Sequence, residues 1–263
     1  GSRVVGVSRR HGVSALRCLA ARRHSDIEIH AELRDPTSKT SWTYHLVFSQ
    51  DNRQRPVIKH EAVERDGAIL FARPAPEDEE DPERLTQTHL EQVNANKPFR
   101  EVADFFASIR YLHLVPQLVR EPDRSVGRVR DPYGGDFLEQ LAATPERTQA
   151  ARLRRIRDAL KVAVPQLTDL ELWRDERGTP HLRGRYGHWR PQGAWQLEDQ
   201  FSDGTLRLLG LLWAMLDGGG PLLLEGPELS LHPDVVRVIP RMFERTQRKS
   251  GRQICISTHS EDL

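Results

Sequence analysis

Residues that could do chemistry are concentrated in the last quarter of this 263-residue chain, directly after two apolar runs. Glu225 follows the run at residues 222–224, and His259 comes shortly after the run at residues 254–256. Open α/β sheets bind ligands at the carboxyl ends of their strands, so the two side chains could meet at one bound anion. A carboxylate there could hold Mg²⁺ through water, and the histidine could contact a terminal phosphate. Taken singly, each residue is more often a capping acid or a hydrogen-bonded structural histidine.

A third polar segment lies upstream, where Ser202 and Gly204 precede an apolar helical pattern. The free N–H groups and the dipole at a helix start favour phosphate, so this segment could bind an anion. Ser202 or Asp203 would equally serve as an ordinary N-cap. The residues of this segment alone leave the two interpretations equal.

The C-terminal elements that must position these residues follow from hydrophobic periodicity and from glycine and proline positions. In order they are a helix at 205–216, a glycine break at 218–220, a strand at 222–224, a helix at 233–249, a stop at Gly251 and a strand at 253–257. Two continuously apolar strands joined by a helix predict a right-handed βαβ crossover in a buried parallel sheet.

The earlier part of the chain mixes β and helical patterns. The predicted elements are alternating strands at 27–33 and 42–48, a further strand at 68–71, an acidic solvated loop at 74–84, a helix from Phe99 to Ile109, a short apolar run at 111–115, an amphipathic helix carrying Leu153, Ile156, Leu160 and Val164, and a hairpin at 167–186 with its turn at 175–178. Arginines flank the amphipathic helix at Arg152, Arg154, Arg155 and Arg157. A solvated helix face is the favoured interpretation of these arginines, and contact with a phosphate backbone is the alternative.

Composition excludes several classes of protein. The formal net charge is +1, so the overall charge does not favour nucleic-acid binding. The apolar runs are too short for a membrane span, and the two cysteines lack metal-ligand spacing. We therefore expect a cytoplasmic protein without a disulfide scaffold or a membrane partner. The residues at both termini suggest a segment cut from a longer gene product.

The three motifs together resemble those of a known family. Residues 201–207, 222–233 and 254–260 are similar to the signature, the Walker B motif with its D-loop, and the switch histidine of ABC-type ATPases, in particular the SMC/RecF/OLD-like group and bacterial AAA family ATPases. The resemblance implies an α/β fold of the P-loop NTPase class: an ABC ATPase head with an antiparallel β subdomain and a helical lid, truncated at both ends. The expected domains are a β-rich part at 1–73, an acidic loop, lid and hairpin at 74–200, and the C-terminal ATPase core at 201–263.

The resemblance also implies residue roles. Ser202 and Gly204 would contact the γ-phosphate of ATP held by a second subunit, and Glu225 would support Mg²⁺. Ser230 to His232 would form the D-loop, and His259 would be the switch histidine. The remaining candidate is Gln117, in a segment similar to the Q-loop, which would contact nucleotide and Mg²⁺.

The sequence departs from the family pattern in two respects. Gly226 occupies the position of the catalytic glutamate, and loss of a positioned base costs about 10²- to 10⁴-fold in rate. Hydrolysis of ATP to ADP and phosphate is therefore expected to be slow or absent. None of the lysines follows a glycine as a P-loop requires, so we expect that loop in a segment N-terminal to this chain.

The family implies a homodimer that encloses ATP and Mg²⁺ at its interface. The expected biological role is DNA repair or antiphage defence, with a nuclease as a separate subunit and DNA as a further candidate partner. The alternative is a degenerate, non-hydrolysing scaffold or a DNA-binding subunit of a defence complex, which Gly226 and the missing P-loop favour. A DNA-binding module that uses Arg152 to Arg157 has only the charge cluster to support it.

Overall fold

The computed structural model describes residues 13–16, 26–35, 37–121, 130–187 and 194–263. The chain divides into two compact units, residues 1–107 and 108–263. This division differs from the three predicted domains. The segment after residue 73 folds against strand β3 (Pro56–Arg65) of the first unit, whereas strand β5 (Arg110–Leu112) pairs in the same sheet as the C-terminal strands.

The described ranges contain both strands and helices. The strands are β1 (Ile27–Arg34), β2 (Ser41–Gln50), β3 (Pro56–Arg65), β4 (Ala68–Arg73), β5 (Arg110–Leu112), β6 (Leu167–Arg174), β7 (Pro180–Tyr186), β8 (Ala194–Leu197), β9 (Leu222–Glu225) and β10 (Ile254–Ser257). The α-helices are α1 (Pro76–Glu80), α2 (Arg100–Ser108), α3 (Pro116–Arg120), α4 (Phe137–Ala143), α5 (Glu146–Leu160), α6 (Asp203–Leu216), α7 (Pro233–Val236) and α8 (Ile239–Ser250). No helix in these ranges has the length and apolar character that crossing a membrane requires.

The first unit is built on an antiparallel sheet of strand order β1-β2-β3-β4. Trp42, Tyr44, Leu46 and Phe48 alternate along β2 and are buried on one face, as the period of two predicts. The predicted pairing of the first two strands is confirmed. Pro36, in the predicted loop between them, lies outside the described residues.

The acidic segment at 74–84 is not the solvated loop that its composition predicted. It forms α1 and a 3₁₀ helix over Pro82–Thr86, and Asp78 is buried. Asp78 binds the equally buried Arg73, with 2.8 Å from Oδ1 to Nη2. Because a buried arginine needs a carboxylate beside it, one acid of the run is drawn inside.

The second unit carries a parallel sheet of order β10-β9-β5. The predicted parallel pairing of β9 with β10 is confirmed, and β5 adds a strand that sequence periodicity showed only as an apolar run. The helix predicted at 233–249 is instead two helices, α7 and α8, because Pro240 lies in the first turn of α8.

Strand β10 was predicted to be buried, and this is wrong. Cys255, Ile256 and Ser257 are exposed, because β10 is an edge strand of the sheet as far as the described residues go. The predicted apolar stripe is confirmed for Leu153, Ile156 and Leu160, which are buried on α5, whereas Val164 is buried but lies beyond the end of the helix. The predicted hairpin is also confirmed as β6 and β7, which continue into the antiparallel sheet β6-β7-β8.

Candidate functional site

Helix α6 begins with a capped first turn. Ser202 is its N-cap, and its Oγ accepts a hydrogen bond from the Thr205 N–H at 3.2 Å. The ordinary N-cap role left open by the sequence is therefore present. Ser202 is also exposed, so the start of the helix is accessible to an anion.

Gly204 is needed because another backbone lies against it. A Cβ atom at this position would lie 2.6 Å from the carbonyl oxygen of Ser230, which is too close for any side chain without movement. Ser230 itself has a φ of +63°, a left-handed conformation that costs a non-glycine residue energy. The start of α6 and the loop after β9 therefore fit together through backbone contact.

Four predicted site residues line one open cleft of about 390 Å³: Ser202, Gly204, Ser230 and His232. His232 also caps α7, and its Nδ1 accepts from the Asp234 N–H at 3.3 Å. The other polar groups that line the cleft are uncharged: Gln166, Tyr186, Gln196, Gln200 and Thr205. The structure thus brings together the residues that the signature and D-loop resemblance selected.

Glu225 ends β9 with an exposed side chain. The hydroxyl of Tyr111, on β5, donates a hydrogen bond to its carboxylate, and the ring of His113 lies 3.2 Å from its carbonyl oxygen through Nδ1. The sequence did not single out Tyr111. Its position in an apolar run before Pro116 was the available signal, because a strand there places it beside β9.

Gly226 has a left-handed backbone, with a φ of +52°. A Cβ atom would lie 2.8 Å from Cδ1 of Leu229, so both the backbone and the packing disfavour a side chain. The Gly226 N–H donates to the carbonyl of Ser257 at 2.8 Å, which continues the pairing of β9 with β10. The loop around residue 226, where the family resemblance would place a catalytic glutamate, therefore favours glycine.

His259 follows β10 and is exposed, and its backbone N–H donates to Glu228 Oε1 at 3.3 Å. Because Ser257 pairs with Glu225, the two strand ends lie side by side, as predicted. No hydrogen bond between the side chains of Glu225 and His259 is formed in the described part of the chain.

Two buried polar atoms near these loops lack partners. The Nε of Arg207, on α6, and the Oε2 of Glu228 form no hydrogen bond with any residue that the structure describes. Burial lowers the pKa of the Arg207 guanidinium, and the charges of Asp203 and Glu228 oppose that change. Most buried polar groups in proteins are paired, so these two atoms need an explanation.

Gln117 lies on α3 and is exposed, and no hydrogen bond joins its side chain to Glu225 within the described ranges. The same helix is tied to the start of α6 by Arg120, which donates to the carbonyl of Phe201 at 2.6 Å and pairs with Asp203 at 2.7 Å. Arg120 was missed from sequence because a lone arginine carries no local pattern.

The arginines of α5 differ from one another. Arg152 pairs with Asp217 at 2.7 Å and lies 5.1 Å from the ring centre of Trp213, so it serves the packing of the unit. Arg157 binds its neighbour Asp158 at 2.9 Å. Arg154 and Arg155 are exposed and pair with no acid among the described residues.

The second unit thus contains a parallel sheet with a carboxylate at one strand end, a capped helix start and a loop packed tightly against that helix start. The chain belongs to the AAA_21 family, described as "AAA domain, putative AbiEii toxin, Type IV TA system", whose model matches residues 2–263. The resemblance to SMC-like and ABC-like ATPases is thereby confirmed at the level of family and fold. No curated protein matches the sequence significantly.

Several solved structures share a distant similarity. The SMC head domain from Thermotoga maritima is 11% identical, with a TM-score of 0.39, and the match covers 91% of this chain and 66% of that one. An SMC head bound to the C-winged helix domain of ScpA is 10% identical, with a TM-score of 0.44 and coverage of 98% and 78%. A nucleotide-free ATP-binding cassette from an ABC transporter is 10% identical, with a TM-score of 0.37 and coverage of 79% and 62%. The chain thus spans less than two thirds of the first and third of these structures.

Proposed function

We propose that this chain is an ATP-binding subunit that forms a head-to-tail dimer with a second copy when nucleotide is bound. The observation that carries the proposal is the shared cleft of Ser202, Gly204, Ser230 and His232. In this arrangement the start of α6 presents free N–H groups and the positive end of its dipole to a phosphate held by the other copy. The loop of Ser230 and His232 forms the other wall of the same contact surface.

Mg²⁺ fits the chemistry of Glu225, because that cation prefers oxygen ligands and usually binds one or two carboxylates together with phosphates and water. Glu225 is exposed at the end of β9 and is oriented by Tyr111. Mg²⁺ bound there would neutralise phosphate charge. Gln117 as a second contributor to nucleotide and metal binding rests on the resemblance alone.

Slow hydrolysis is the second part of the proposal. Gly226 offers no group that could polarise a water molecule, and its left-handed backbone supports glycine as the residue that the loop requires. His259 is exposed after β10, and its side chain could contact the γ-phosphate. ATP would therefore act mainly by holding two copies together.

We further propose a role in antiphage defence or DNA repair, beside a separate nuclease subunit. The family description, which names a toxin of a type IV toxin–antitoxin system, supports a defence context. DNA is the weaker candidate partner. Among the predicted DNA-binding residues, the exposed Arg154 and Arg155 support it, whereas Arg152 and Arg157 are engaged with neighbouring acids.

Substitution of Ser202 tests the dimer. Ser202→Asp keeps an N-cap, since aspartate caps helices as well as serine does, but places a negative charge at the expected phosphate position. We expect the ATP-dependent dimer to weaken roughly tenfold or more, with unchanged thermal stability. The control Ser202→Ala loses the cap, which costs about 1 kcal/mol of stability, and should weaken the dimer less.

Sedimentation with and without Mg-ATP measures the dimer, and calorimetric titration measures ATP binding directly. ATP-driven association that survives Ser202→Asp unchanged would contradict the proposed site. Absence of both ATP binding and association in the wild type would instead favour the non-hydrolysing scaffold, which the glycine-specific loop at Gly226 also supports.

A further inference from the structure

Helix α8 carries an excess of positive charge on one side. Its sequence holds four cations and one acid, a larger excess than the +1 of the whole chain. Ile239 and Phe243 are buried in the core of the second unit. The four cations are all exposed: Arg241, Arg245, Arg248 and Lys249. At 3.6 residues per turn they lie on the face opposite to the buried pair, so the helix turns a cationic face to solvent.

Three of these cations form a row without acidic partners. Arg241, Arg245 and Lys249 are spaced four residues apart, and none of them pairs with an acid in the part of the chain that the structure describes. Arg248, by contrast, binds Glu244 at 2.6 Å. Four residues advance an α-helix by about 6 Å, so the row extends about 12 Å along the helix axis. Because like charges at this spacing destabilise a helix, helix stability does not account for the row.

The helix dipole accounts for only part of this charge. Arg248 and Lys249 lie in the last turn, where the negative end of the dipole stabilises cations. Arg241 lies in the first turn, where the dipole disfavours cations, and that turn contains no acid. Arg245 lies between the two ends, where the dipole has little effect. A negatively charged partner accounts for the cations that the dipole leaves unexplained.

The outward face of α8 favours a phosphate backbone over a protein surface. Protein interfaces are built around apolar and aromatic residues, and no large apolar side chain of α8 is exposed. Single-stranded nucleic acid stacks its bases on aromatic rings, whereas the aromatic residue of α8, Phe243, is buried. Arginine binds phosphate through two parallel hydrogen bonds. Double-stranded DNA carries one charge per about 1.7 Å of its axis, so several phosphates can face a row of this length.

We propose that α8 is a docking surface for the backbone of double-stranded DNA, with Arg241, Arg245 and Lys249 bound to phosphates without sequence specificity. The proposal rests on one part of the proposed function, the DNA partner, and requires neither ATP nor a dimer. The competing surface is α5. Its Arg154 and Arg155 are consecutive, so they diverge by about 100° around the helix and form no row.

The test measures binding of a labelled DNA duplex of about 20 base pairs by fluorescence anisotropy, between about 50 and 200 mM salt. Wild-type affinity should fall as salt rises, because binding releases counterions from the phosphates. The triple variant Arg241→Gln, Arg245→Gln, Lys249→Gln should reduce the slope of log affinity against log salt by about 1 for each cation removed. At the lower salt concentration its binding should be weaker by at least about tenfold.

The matched control removes the same charge from α5 and consists of Arg147→Gln, Arg154→Gln and Arg155→Gln. These arginines are exposed and pair with no acid among the described residues. The control should keep the wild-type slope and bind DNA within about threefold of wild type. Equal losses in the two triple variants would show a general effect of charge and would overturn docking on α8.

Stability is checked separately by urea unfolding. Glutamine is a good helix former and the substituted residues are exposed, so both triple variants should keep the fold. If the triple variant of α8 does not fold, the three single variants carry the test, since each should lower the slope by about 1. Single variants that all keep the wild-type slope would overturn the proposal.

The remaining outcomes separate this inference from the proposed function. Poly-glutamate that competes as well as unlabelled DNA of equal charge would overturn the phosphate assignment in favour of an acidic protein partner. A wild type that binds no DNA at the lower salt concentration would overturn both the docking surface and the DNA partner. Sedimentation with Mg-ATP would still decide whether the dimer forms. An α8 variant that loses DNA binding but associates with ATP as the wild type does would support a surface separate from the nucleotide.

Discussion

Residues 1–107 and 108–263 each bury charged side chains, but they do so differently. In the first unit Arg73 is fully buried, binds Asp78 through two nitrogen atoms at 3.2 and 2.8 Å, and also donates to the carbonyls of Arg84 and Gln87. Glu61 accepts from the Tyr44 hydroxyl at 3.0 Å and from the N–H groups of residues 89 and 90. In the second unit Arg207 and Glu228 keep unpaired buried atoms.

The difference separates a cluster whose buried polar atoms are hydrogen-bonded from one that keeps unpaired buried atoms. A fully satisfied buried network stabilises one arrangement, because every displacement costs hydrogen bonds. Atoms that make no hydrogen bond lose little when their side chain is removed. Loss of the arginine should therefore cost much more stability in the first cluster than in the second.

The largest expected effect is in the first unit. Arg73→Met leaves Glu61 and Asp78 buried without their cation, and breaking a buried pair in this way costs about 3–5 kcal/mol. Amide exchange of β2 under native conditions reports the stability of this unit. The control Arg55→Met removes an exposed arginine that pairs with Asp51 and Glu83 and should change little. Equal effects of the two variants would show that burial of Arg73 is not decisive.

A smaller effect is expected from pH. Burial raises the pKa of Asp78, but the Ala75 N–H and the Arg73 guanidinium lower it more, so it lies below its ordinary 3.8. Its contribution is present above pH 3.8 and is lost as the pH falls through the lowered value. Burial raises the pKa of Glu61 above 4.5, so its contribution is present below pH 4.5 and is lost as the pH rises through the raised value.

Exchange of β2 between pH 3 and 7 checks both signs. Asp78→Asn should remove the loss of stability at the acid end, and Glu61→Gln should remove the loss at the neutral end. If either variant leaves the pH profile of the wild type intact, the corresponding carboxyl does not titrate as stated.

In the second unit, substitution of Gly226 should cost about 1–2 kcal/mol, the penalty of a left-handed backbone for a residue with a Cβ. Gly226→Ala and Gly226→Glu should be similarly destabilised in urea, and Leu229→Ala should recover part of the loss by removing the atom that the Cβ meets. Gly226→Glu alone should not restore rapid ATP turnover. A stable, rapidly hydrolysing Gly226→Glu protein would show that the loop readily adopts another conformation.

The smallest effect is expected from Arg207→Met. Because Arg207 is only partly buried and its buried Nε makes no hydrogen bond in the described ranges, we expect a change below about 1 kcal/mol. Urea unfolding of Arg207→Met beside Arg73→Met measures the contrast directly. A loss comparable to that of Arg73 would show that the unpaired atoms of Arg207 do not distinguish the two clusters.

Local patterns predicted the elements, and the family resemblance selected Ser202, Gly204, Ser230 and His232. Strands β1 and β2 follow from a period of two, and the pairing of β9 with β10 follows from continuous apolar runs joined by helical sequence. The order of three short motifs then selected residues that the structure places on one cleft. Each of these patterns is formed by residues that lie close together in the sequence.

The remaining features depend on partners far apart in the chain. Asp78 is buried because Arg73 needs it, although its acidic neighbours indicate a solvated segment. Arg152 lies in a basic run, yet its partner Asp217 follows 65 residues later. The φ of Gly226 and the contact of Glu228 with His259 are fixed by how two loops pack, which no local pattern records.

The contact between Gly204 and the Ser230 carbonyl has a mechanical consequence. Side chains between two packed elements can absorb small displacements, because they can change rotamer. Here the backbone of a loop lies directly against the backbone of a helix start, and Ser230 is already in a constrained conformation. A displacement of the loop is therefore transmitted to α6 almost undiminished, and the loop and the helix start should move together as one rigid body.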